Sequence, residues 1–152
     1  MQFQESQTQK NLATAAQAGI AFTWAGVVLG LSFIETPLKF HAPGVTEVIA
    51  VGIGRLVFST LNRIEIVLSI LLSWSLMQGS RTPIKWRAFG VIVAIVATQT
   101  FWLLPALDAR AQLLFDGTPP GPSLHHILFI GIEGIKVVVL FILGSVAVIR
   151  KK

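Results

Sequence analysis

The sequence predicts an all-α protein, a four-helix transmembrane bundle with its N and C termini both cytoplasmic. Three observations predict it. Mean hydropathy is +0.74, with 53% apolar and 12% charged residues, where a soluble domain carries about 25% charged. Apolar runs long enough to cross a bilayer, at about 1.5 Å of helix per residue, alternate with polar, turn-rich segments. The basic residues outside those runs are split seven to two: Lys10, Arg81, Lys85, Arg87, Arg150, Lys151 and Lys152 on one side, Lys39 and Arg110 on the other. That bias assigns the richer side to the cytoplasm.

Residues 1–14 read as a polar lead-in, disordered or interfacial. They lack the basic start and small-residue cleavage site of a signal peptide, so the first helix is expected to be retained. That helix is predicted over 15–36. Gly26 and Gly30 form a G-x-x-x-G pair that favours close helix approach, within the monomer or in a homodimer. Pro37 disfavours helical geometry at the residue before it and is expected to kink or end the run. The second helix is predicted over 46–77, longer than one crossing requires. Residues 78–86 read as a basic turn. The third helix is predicted over 88–107, with Pro105 near its end, and GTPPGP after Asp116 as a rigid loop. The fourth runs over 123–149, with Ser123 as its expected N-cap. Residues 150–152 form a basic cytoplasmic tail.

The second helix is unusual for a membrane span because it contains Arg55, Asn62, Arg63 and Glu65. At about 100° per residue these share one side, over an arc of roughly 160°. The fourth helix repeats the pattern: His126, Phe129, Glu133 and Lys136 occupy a stripe of roughly 80°. Glu133 and Lys136, three apart, can pair within the helix. Between helices, Glu133 can meet Arg63, and Lys136 can meet Glu65. Gln99 lies near mid-membrane in the third helix, and Glu35 toward the outer end of the first. Charge facing lipid is costly, so these groups are expected to face one another. Interhelical polar contacts in membranes average under about 1 kcal/mol. Each inserted charge costs about 2.5–3.5 kcal/mol. Stapling the helices together does not offset that cost. The expected site is therefore an outward-facing charged pocket of Glu35, Arg55, Asn62, Arg63, Glu65, Gln99, His126, Glu133 and Lys136. It should be closed in the cytoplasmic third, where residues 66–73 and 137–143 are almost purely apolar.

The chain lacks cysteine, which excludes disulfides, thiolate metal sites and cysteine nucleophiles. No H-x-x-x-H or H-E-x-x-H spacing is present, and His125 and His126 point about 100° apart on a helix. No metal is assigned, and haem lacks a second helical histidine. The net charge of +5 does not form an aromatic-interleaved basic face, which argues against nucleic acid. The expected partners are the lipid bilayer and a small polar or lipid-like ligand. Three functions follow from this pattern. The pocket binds or transports a small polar solute, an ion or protons. Alternatively, Glu133 is the general acid or base of an intramembrane enzyme acting on a lipid-like substrate. In the third reading, the chain is a structural subunit of a larger membrane complex.

Residues 30–65 (GLSFIETPLKFHAPGVTEVIAVGIGRLVFSTLNRIE), 102–110 (WLLPALDAR) and 124–140 (LHHILFIGIEGIKVVVL) together resemble a group of small bacterial four-helix membrane proteins of unknown function. That group is distantly similar to a wider family with Pro-x-x-Phe after helix one, here Pro37 and Phe40, and Arg/Lys-Leu-Phe-x-x-x-Asn in helix two. Here the second motif appears as Arg55, Leu56, Val57, Phe58 and Asn62, with one inserted residue. The resemblance implies the bacterial inner membrane and the four-helix architecture, and it carries no assigned activity.

Overall fold

The computed structural model describes residues 2–79 and 82–149. Arg81 and the basic tail 150–152, part of the charge asymmetry above, lie outside the described residues. The chain is all-helical. It forms α1 (residues 2–39), α2 (Glu47–Gln78), α3 (Pro83–Phe115) and α4 (His125–Val148), and each contains a stretch long and apolar enough to cross a membrane. This is an integral, multi-pass membrane protein. The helices close a ring in which α1 packs on α2 and α4, and α3 packs on α2 and α4. One end of the bundle carries residues 2, 79, 82 and 149. The other, here the loop end, carries residues 40–46 and 116–124.

Helix α1 starts at Gln2, so the expected polar lead-in forms its first turns. The Thr8 and Thr14 hydroxyls donate to carbonyls four residues back, which keeps both compatible with helix. Pro37 does not end α1, and α3 continues past Pro105 to Phe115. In each case the turn before the proline widens to π geometry, over Leu29–Glu35 and Gln99–Leu103. A proline has no N–H for the carbonyl four residues back, and its ring crowds that carbonyl. A widened turn relieves both problems without breaking the helix. In α1 the Thr36 hydroxyl also donates to Leu31 O, five residues back, at 3.0 Å. The predicted basic turn before α3 is largely helix as well. Pro83 sits at its start, where no N–H is required, and Lys85 to Arg87 form the first turn.

Loop chemistry follows the sequence closely. The Thr46 hydroxyl caps α2 by accepting from Ile49 N–H. Ser123 lies one residue before the N-cap position of α4, and its oxygen accepts from His125 N–H at 3.2 Å. After α3, Gly117 takes φ +75°, Thr118 N–H bonds Leu113 O, and Gly117 N–H bonds Leu114 O. This paired closure needs a left-handed residue, which glycine supplies without a side-chain clash.

The main core joins Trp24, Ala21, Ala25 and Val28 of α1 to Leu61, Leu72 and Leu76 of α2, Ile92 and Val96 of α3, and Val137, Leu140 and Leu143 of α4. A smaller cluster of Phe58, Leu103 and Phe129 lies toward the loop end. Packing of α1 on α4 is close at Gly144, where an added methyl carbon would lie 2.9 Å from the Phe22 ring. The expected G-x-x-x-G approach does not occur inside the bundle. Gly26 is exposed, and a methyl at Gly19, Gly26 or Gly30 would meet no atom within 4 Å.

Candidate functional site

The predicted constellation does not converge on one pocket. It divides into a buried network, a cavity at the loop end and one outward-pointing arginine, and a second buried polar cluster lies near the chain ends.

The network sits at mid-bundle and joins all four helices. Lys136 of α4 is fully buried, with an ion pair to Glu65 of α2 and another to Glu133 one turn away at 3.1 Å. Its Nζ also donates to Gln99 Oε1 of α3 at 2.8 Å and to Glu133 Oε1 at 3.2 Å. Gln99 Nε2 donates to Glu133 Oε1 at 2.9 Å. Trp24 of α1 donates its indole N–H to Glu65 Oε1 at 2.9 Å. Glu133 Oε2 stays within ion-pair distance of Lys136 but outside hydrogen-bonding geometry, and no other group bonds it among the described residues. Every member is buried, none above 2% exposed, so these interactions act in a low-dielectric interior. Of the two interhelical pairings the sequence offers, Lys136–Glu65 forms and Glu133–Arg63 does not.

Toward the loop end, Phe58, Leu103 and Phe129 cover the network, with the Phe58 and Phe129 rings 4.9 Å apart. Beside them Asn62 donates to Thr100 Oγ1 at 2.9 Å. Above this layer a cavity of about 770 Å³ opens between the last turn of α1, the first half of α2 and the second half of α3. Its lining is mostly apolar but includes Lys39, Arg55, Asp108, Arg110, Thr100 and His126. Lys39 is the least conventional of these. Its side chain is only 7% exposed, and its Nζ lies 3.3 Å from Glu35 Oε2. The same ammonium stands 5.4 Å and 5.9 Å from the Phe58 and Phe40 ring centroids, within cation–π range. Gly54 makes the room: a methyl there would come within 2.9 Å of Lys39 Nζ. Arg55 pairs with Asp108, Nη2 donating to Oδ2 at 2.9 Å, and Arg110 donates to Gly121 O. Glu35 therefore reaches the cavity only through Lys39.

Near the other end, Lys85 is buried without a carboxylate partner among the described residues. Its Nζ donates to Gln17 Oε1, Gln17 donates to Ser75 O, and Ser75 Oγ donates to Ala13 O, each at 2.9 Å.

Arg63 is exposed, on the face of α2 turned away from the bundle, and has no ion pair or hydrogen bond among the described residues. The reason is angular. Residues 63 and 65 stand about 160° apart around a helix, so only one of them can face a core on one side. Gly54, Phe58, Leu61, Glu65, Leu72 and Leu76 define the buried side, and Glu65 goes with them.

Trp24, Lys39 and Lys85 were not among the predicted site residues. A tryptophan in mid-span, far from both interfaces where it is common, needs an acceptor for its indole N–H, and that signal points to Glu65. No family model, curated protein or solved structure matches the chain.

Proposed function

We propose that this membrane protein uses the loop-end cavity to bind a small amphipathic anion, an apolar body with an acidic head, and that Lys39 anchors the head. The observation that carries this reading is the buried Lys39 ammonium on the cavity wall, with one hydrogen-bonded partner, Glu35, for its three donors. Lys39 is the buried cation of the wall: Arg55, paired with Asp108, is exposed, and Arg110, which donates to the Gly121 carbonyl, is half-buried. A largely apolar cleft with few convergent polar groups, in the size range of about 300–1,000 Å³, is the usual form of a small-molecule site. The seven-to-two basic asymmetry supports a cavity that opens away from the cytoplasm.

Binding without passage is the better-supported form. The cavity lining stops at Phe58 and Thr100, and neither Glu133 nor Lys136 belongs to it. The enzymatic reading requires substrate access to Glu133, which is fully buried.

Calorimetric titration of the protein in nanodiscs with butyrate, butyl phosphate and butylamine tests the reading. The two anions are expected to bind and the amine is not. Lys39→Gln should weaken anion binding roughly tenfold or more, the scale of a lost charge-assisted hydrogen bond. Equal binding of butylamine, or anion binding untouched by Lys39→Gln, contradicts the proposal.

A further inference from the structure

We infer that the exposed face of α2 around Arg63 is the docking surface for a transmembrane helix of a different protein, one that carries an aspartate or glutamate at the same depth. Arg63 is near the midpoint of the 32-residue helix α2. Roughly 22–24 Å of helix separates it from either end, so in a hydrocarbon core about 30 Å thick centred on the helix its guanidinium starts about 15 Å from either surface, beyond the reach of a snorkelling side chain. Its neighbours on the outward face are Leu56, Thr60, Val67 and Ile70, all exposed and carrying no charge. An unpaired guanidinium facing hydrocarbon is strongly unfavourable, and intramembrane arginines are found paired.

Among the described residues, no group of this chain supplies the partner. Glu65 lies on the opposite side of α2 and is committed to Lys136 and Trp24. A second copy does not supply it either. Copies inserted the same way round keep each residue at its own depth. At the depth of Arg63 the carboxylates are Glu65 and Glu133, both buried. Glu35, Glu47, Asp108 and Asp116 lie toward the loop end, and Asp108 sits level with its partner Arg55, about 12 Å of helix from Arg63. Charge complementarity thus selects a foreign carboxylate, and the apolar residues flanking Arg63 suit a helix that carries it. This inference is independent of the cavity, which Arg63 does not line.

The test uses full-length protein in phosphatidylcholine vesicles with a fluorescent leucine-rich transmembrane peptide. The peptide carries one central Asp, or Leu there instead, or Asp moved two turns toward an end. Energy transfer should show association roughly 3- to 20-fold tighter for the central Asp, the range of intramembrane polar contacts. Arg63→Gln should abolish that preference while leaving butyrate binding and resistance to unfolding unchanged. A photocrosslinker at Val67 in native membranes should then map to an apolar segment of another protein that contains Asp or Glu. No preference for the central Asp, a preference that survives Arg63→Gln, or crosslinks confined to lipid or to a second copy would overturn the inference. Loss of butyrate binding in Lys39→Gln alone leaves it standing.

Discussion

Lys136→Met is expected to be the most damaging single substitution, costing about 3–5 kcal/mol, the scale measured when one partner of a buried ion pair is removed. The cause is what it leaves behind. Glu65 and Glu133 are held in the bundle centre by one ammonium, and neither has water to turn to. Removing all the charges is a different experiment. The variant Lys136→Met/Glu65→Leu/Glu133→Leu exchanges the network for apolar side chains of similar size. By the same logic it should recover most of the loss, because well-packed apolar replacements of buried ion pairs are often neutral or stabilising. Unfolding by SDS in mixed micelles reads both. A Lys136→Met protein as stable as the parent would mean the carboxylates find other partners, and the network would not be the organising feature of the core.

Trp24 carries the second large effect. Trp24→Ala should cost about 3–5 kcal/mol, because a fully buried indole leaves a cavity among α1, α2 and α4 that the backbone cannot fill. Trp24→Phe keeps most of that volume and removes the donor to Glu65, so about 1–3 kcal/mol is expected from the unmet carboxylate. The difference between the two separates packing from hydrogen bonding. In a Glu65→Gln background the Trp24→Phe cost should shrink, and a cost that stays the same would show that the indole contributes by shape alone.

The helices and their order were legible from hydropathy, and so was the Glu65–Glu133–Lys136 group, because ionised residues in apolar spans have few places to go. In the fourth helix Phe129, Glu133 and Lys136 are buried together as their narrow stripe suggests, while His126 at its start is exposed on the cavity wall. The polar set of the second is divided, since an arc of roughly 160° is wider than the side a helix buries, and nothing in its spacing says which edge turns out. Structure chose Glu65 over Arg63. The prolines misled for a different reason. Pro37 and Pro105 carry a strong local preference against helix, but the apolar segments around them gain enough from packing that the chain widens a turn and continues. That continuation is what brings Lys39 into the bundle and places Gln99, at the start of the second widened turn, against Glu133. Lys85 looked like a turn residue because its neighbours are basic and polar, yet burial against Gln17 depends on a contact 68 residues away in sequence.

The polar residues divide between a water-accessible cavity and a closed core one to two helical turns further in, and the absence of native cysteine makes that division directly measurable. Single cysteines at Ser59, on the cavity wall, and at Gln99, in the network, should be exposed to a membrane-impermeant maleimide added outside intact cells. Rapid labelling of the Ser59→Cys protein is expected, and no labelling of Gln99→Cys until the protein is unfolded. Comparable labelling at both positions, or labelling of Ser59→Cys only from the cytoplasmic side, would contradict that division.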